Sequence, residues 1–112
     1  MATVPAKELP QPQPAESLDE KFLRLADTWH RAIAHHSSSS VRYGHPLYQE
    51  IIAMGPEVVP LLLRDLEANG RFWFAALAKL TGANPVPESA WGNFEEKRAA
   101  WLKWGKENGY QW

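Results

Sequence analysis

Four histidines are the first residues in this 112-residue chain whose chemistry could hold a metal or move a proton. His30, His35 and His36 lie close together, and His45 follows. A helical metal pair needs side chains three or four positions apart, and no HExxH pattern occurs. His30 and His35 are five apart, which separates them by about 140° around a helix. A metal-dependent site would need His45 folded back toward His30, with Asp27 or Glu50 assisting. The plainer expectation is a solvated helix end, so no metal ligand is assigned. Glu50 and Glu57 flank one predicted helix and Glu95 and Glu96 open another, with nothing in the spacing to bring two carboxylates into one cleft. The run Ser37–Ser40 lacks the GxSxG elbow, and neither GxGxxG nor GxxxxGK[ST] is present. There is no cysteine. The chain is therefore not expected to be an enzyme, and no catalytic residue or cofactor is assigned.

The aromatic residues carry more information. Six Trp, four Phe and three Tyr supply large rings suited either to a core or to binding hot spots. Trp29 and Trp73 fall on inward stripes. Phe72 and Phe74 flank Trp73, and three consecutive residues of a helix cannot share one face. Trp101 and Trp104 are three apart and sit side by side on a helix. Trp91 lies in a loop, and Tyr110 and Trp112 lie near the C-terminus. Arg42 and Tyr43 add a cation–aromatic pair next to the serine run. The candidate partner-binding set is Arg42, Tyr43, Phe72, Phe74, Trp91, Trp101 and Trp104. The competing reading is that these rings complete the core.

These residues must be positioned by helices. Residues 1–16 carry four prolines, with Pro10, Pro12 and Pro14 alternating, and are expected to be a disordered, polyproline-like leader. Residues 17–112 are expected to form one helical domain. Ser17 and Glu20 have capping-box spacing, and Phe22, Leu25, Ala26, Trp29 and Ile33 recur on one face, predicting a first helix over about 18–35. The stretch 37–44 is expected to be a loop, because serines compete for backbone hydrogen bonds. Pro46 opens a second helix and Gly55 stops it. Pro56 opens a third, ending at Asn69–Gly70. A fourth covers about 72–80 with Trp73, Ala76, Leu77 and Leu80 inward. A proline-punctuated loop follows. Asn93 and Glu96 then have capping-box spacing for a fifth helix reaching about Glu107. The fold class is an all-α, compact bundle of about five helices.

The charge balance narrows the partners. Twelve basic and thirteen acidic residues leave a net charge of −1, without the positive excess on which nucleic-acid binding rests. No apolar run approaches the ~20 residues needed to cross a bilayer, and no secretory leader pattern opens the chain. Neither nucleic acid nor membrane is expected as a partner, and a cytoplasmic location is expected.

The segment Ile52-Ala53-Met54-Gly55-Pro56-Glu57-Val58-Val59-Pro60-Leu61-Leu62, with Arg71 and the small-residue helix Ala75–Gly82, resembles a HEAT-like repeat unit. The resemblance spans His45–Gly82, about one-third of the chain, and implies a central antiparallel hairpin joined by a Gly-Pro turn. Solenoids need about three repeats to bury a continuous core, and this chain holds at most one and a half. The region His45–Tyr110 also resembles a group of small bacterial proteins of unknown function. HEAT-like units serve as scaffolds and binding surfaces, so the resemblance implies a protein–protein interaction module. Small size, near-neutral charge, the lack of catalytic motifs, the expected disordered leader and the surplus aromatics point to an adaptor, inhibitor or antitoxin-like kind. A homodimer closed by the surplus rings is the alternative, and a metal-dependent enzyme using His30, His45 and Glu50 is a remoter one.

Overall fold

Helical periodicity sets the architecture. The computed structural model describes residues 16–34 and 39–112; residues 1–15 of the leader and residues 35–38, with His35 and His36, lie outside them. Among the described residues six α-helices follow in order: α1 (Leu18–Ala32), α2 (Ser39–Gly44), α3 (Pro46–Ala53), α4 (Val59–Asn69), α5 (Phe74–Thr81) and α6 (Phe94–Glu107). Single 3-10 turns occupy Pro56–Val58 and Glu88–Ala90, and no strand occurs among the described residues.

The local signals act where expected. Ser17 and Glu20 form the reciprocal capping box of α1. Asn93 accepts from the Glu96 amide at the start of α6. Pro46 is the first residue of α3, and Pro60 sits in the first turn of α4, where a missing N–H costs nothing. Gly70 closes α4 at φ 66°, a left-handed cap that favours glycine.

One expectation fails. The serine-rich stretch is not all loop, because Ser39–Gly44 forms α2. Tertiary contacts override the local preference. The Trp29 indole donates to the Arg42 carbonyl at 2.8 Å, the Tyr43 ring packs 5.4 Å from Tyr48, and Gln49 donates to the Tyr43 carbonyl at 2.7 Å. α1 is also shorter than expected, with Ile33 as its cap.

The core is one cluster drawn from α1, α3, α4, α5 and α6. Phe22, Leu25, Trp29, Tyr48, Ile51, Leu62, Leu63, Leu66, Trp73, Leu77 and Trp101 are buried in it. Phe22, Trp29 and Tyr48 all place their rings 4.9–5.5 Å from Trp73. α1 packs chiefly on α3, and α4 on α6. Leu63 meets Gly105 while Arg98 donates to the Glu67 carbonyl, so α4 and α6 run antiparallel. Ion pairs Asp19–Arg64 and Asp27–Arg71 bridge α1 to α4 and to the turn after it.

Trp73 caps α5 without a side-chain bond, so the helix must find its acceptor elsewhere. The Tyr48 hydroxyl supplies it, accepting from the Ala76 amide at 3.0 Å and donating to the Phe72 carbonyl at 3.1 Å. Burial pushes the Tyr48 phenol well above the usual tyrosine range. The unfolded chain releases this proton above about pH 10 while the folded chain retains it, so this contribution to stability falls as pH rises past that point. Tyr48→Phe is expected to cost about 1–3 kcal/mol at neutral pH, since it strands a buried amide. Urea midpoints of the two proteins should converge above about pH 10, and a gap independent of pH would contradict this reading.

Candidate binding surface

Trp73 points inward, and this forces its neighbours apart. Phe72 precedes α5 and Phe74 begins it, and both rings are half-buried. Phe94, the first residue of α6, completes a triad. Its ring centroid lies 5.2 Å from Phe72 and 5.3 Å from Phe74, edge to face in both cases. The Phe72–Phe74 pair is almost perpendicular at 6.3 Å. Such geometry matches the positive ring edge to the negative ring face.

Two cations stand over the triad. The Arg42 guanidinium, delivered by α2, lies 4.6 Å from the Phe72 centroid and 5.7 Å from that of Tyr43. The Lys97 ammonium, one turn beyond Phe94 on α6, lies 4.9 Å from Phe74. The ring faces attract both charges. The result is a partly buried aromatic patch with two cations beside it, assembled from α2, α5 and α6.

A second aromatic group closes the far end of α6. Trp101 packs edge-on against Trp104 at 5.4 Å, and Trp104 against Tyr110 at 5.5 Å. Gly109 turns the chain at φ 84°, and the Tyr110 amide donates to the Gly105 carbonyl at 2.9 Å. Trp112 then returns to α4, donating its indole N–H to Glu67 Oε1 at 2.9 Å beneath the Lys106 ammonium. Glu67, Lys106, Tyr110, Gln111 and Trp112 frame an open recess of about 340 Å³. Glu67 also lines a smaller recess of about 200 Å³ with Glu95, Arg98, Ala99 and Leu102.

The seven candidates therefore separate. Arg42, Tyr43, Phe72 and Phe74 meet at one patch. Trp91 stands by its own turn and is 57% exposed, the most open large apolar residue described. Trp101 is a correction. It is 2% exposed and belongs to the core, because the inward stripe of α6 faces Leu63 and its neighbours on α4. Trp104 is half-buried between Trp101 and Tyr110. Sequence reasoning missed Phe94 and Lys97, although their i, i+3 spacing from a capped helix start signalled a shared face.

Of the four histidines, His30 and His45 are described, and they do not come together. His45 Nδ1 accepts from the Leu47 amide at 3.1 Å and caps α3. His30 is exposed on α1 and Glu50 is exposed on α3. Among the described residues, no three His, Asp or Glu side chains group closely enough to hold a metal ion. Among the described residues, no helix is long and apolar enough to cross a membrane. No protein-family model, characterised protein or solved structure matches the chain.

The return of Trp112 depends on Gly105. A Cβ there would lie 2.8 Å from Leu63 Cδ1 and 2.9 Å from Trp112 Cζ3. Ala is ordinarily worth about 1 kcal/mol over Gly inside a helix. Here Gly105→Ala is expected to forfeit that gain and lower stability by about 1–2 kcal/mol, read by urea denaturation. In a Trp112→Ala background only the Leu63 contact remains, and the cost should shrink. An equal cost in both backgrounds would show that the ring does not rest on Gly105.

Proposed function

We propose that the chain is a protein-interaction module, of adaptor, inhibitor or antitoxin-like kind, that grips a partner protein through the Phe72–Phe74–Phe94 patch. The single observation behind this reading is three rings only partly buried at the edge of the core while Arg42 and Lys97 stand over them. An aromatic centre with a polar, charged rim is the anatomy of a binding hot spot. The cationic rim selects a partner surface in which carboxylates surround an apolar side chain. Trp91, Tyr43 and the likeness of His45–Gly82 to a HEAT-like unit support the same reading. The near-neutral net charge favours protein over nucleic acid as the partner. The absence of cysteine fits action in a reducing cytosol.

Affinity capture from the source cells tests it. The wild-type chain and a Lys103→Glu control, altered on the exposed side of α6, should each retain one protein in stoichiometric amount. Phe74→Ala/Lys97→Glu should lose it while keeping its helical circular dichroism. Equal retention by the double variant would remove the patch from the contact. A blank capture together with a light-scattering mass of two chains would replace the partner by a second copy.

A further inference from the structure

Trp112 sits in a slot that α4 and α6 build together. Its six-membered ring rests on α6 at Gly105, where a Cβ would come 2.9 Å from Cζ3 and 3.1 Å from Cη2. The same missing Cβ would lie 2.8 Å from Leu63 Cδ1, so ring and leucine close on one bare stretch of backbone. On α4 the Glu67 carboxylate accepts from the indole N–H at 2.9 Å. The Lys106 ammonium stands 5.9 Å from the ring centroid. A bare apolar floor, an acceptor placed for the N–H and a cation beside the ring meet each requirement of a tryptophan side chain.

The ring is lightly fastened. The Gly109 and Tyr110 amides donate to the Lys106 and Gly105 carbonyls at 3.2 and 2.9 Å, but neither Gln111 nor Trp112 makes a backbone hydrogen bond to a described residue. The bond to Glu67 is exposed, so water competes for both partners. Trp112 is only partly buried, and the recess of about 340 Å³ opens beside it.

We infer that this face of α4 and α6 is a slot for a tryptophan side chain of a partner protein, and that Trp112 is its intramolecular plug. Tryptophan is among the side chains that most often anchor protein interfaces. A ring carried by the chain itself competes at high effective concentration, so a foreign indole enters only as residues 109–112 swing away. Gly109, at φ 84°, is the pivot. The recess beside the ring gives room for the backbone that brings the foreign indole in. This inference stands apart from the phenylalanine patch, and its test involves no partner.

The test uses the full ¹⁵N-labelled chain, with indole as the probe. Trp112→Ala empties the slot and should bind indole saturably, with shifts centred on the Gly105 and Glu67 amides and no loss of helical circular dichroism. Wild type should bind at least about tenfold more weakly, because the plug competes. Gly109→Ala should fall between the two. Its added methyl meets nothing within 4 Å and is opposed only by the positive φ, so it loosens the turn and leaves the slot intact. 1-Methylindole has no N–H to give Glu67 and should bind Trp112→Ala several-fold more weakly than indole. Failure of Trp112→Ala to take up indole would overturn the inference, as would equal binding by wild type or by the two probes. Gly109→Ala binding no tighter than wild type would overturn the plug. A light-scattering mass of two chains that falls to one in Trp112→Ala would seat a second copy's tryptophan in the slot, and would also overturn it.

Discussion

A buried carboxylate governs this fold. Asp65 on α4 is almost fully enclosed, and its oxygens accept from the Trp73 indole at 2.7 Å and the Asn69 amide at 2.6 Å. The Arg71 guanidinium lies 3.8 Å away and also reaches Asp27 on α1 at 3.0 Å. An isolated buried carboxylate would cost several kcal/mol, so these bonds and this neighbouring charge are required rather than optional. They also fix the rotation of Trp73. With its indole N–H committed to Asp65, the ring stacks on Tyr48 at 5.4 Å and abuts Trp29 and Phe22.

The surface follows from that orientation. Because Trp73 turns inward, Phe72 and Phe74 on either side lie partly buried at the edge of the core, where Phe94 meets them. Tyr48, packed on Trp73, hands its hydroxyl to the start of α5 and so sets where Phe74 begins. Trp29, also packed on Trp73, holds the Arg42 carbonyl, and Arg42 sends its side chain over Phe72. Arg42, Phe72 and Phe74 are therefore positioned by Trp73 or by a ring that touches it, while Phe94 and Lys97 reach the patch from α6. Asp65 reaches the surface through two layers of contacts.

Much of this was legible in the residues. The inward stripe of α1 is a 3.6-residue period of large apolar side chains, and Ser17 with Glu20 marks its start without ambiguity. Pro46, Gly70 and Asn93 bounded helices for local steric and hydrogen-bonding reasons that need no knowledge of the fold. What escaped is non-local. Nothing between Ser39 and Gly44 favours a helix, and α2 forms because Trp29 and Tyr48 hold it. The Phe72–Phe94 contact joins residues on different helices, and the return of Trp112 to Glu67 crosses 45 positions. Trp101 and Trp104 looked alike in sequence, but the first ring is buried in the core and the second lies partly buried between Trp101 and Tyr110.

If Asp65 and Trp73 act as one unit, their removal must be non-additive. The deciding measurement is a double-mutant cycle by urea denaturation on wild type, Asp65→Ala, Trp73→Phe and the double variant. Hydrogen bonds to buried charged groups predict a coupling of about 1.5–3 kcal/mol, with the double variant losing less than the sum of the singles. Losses that add to within about 0.5 kcal/mol would contradict the account, because Trp73 would then be held by packing alone.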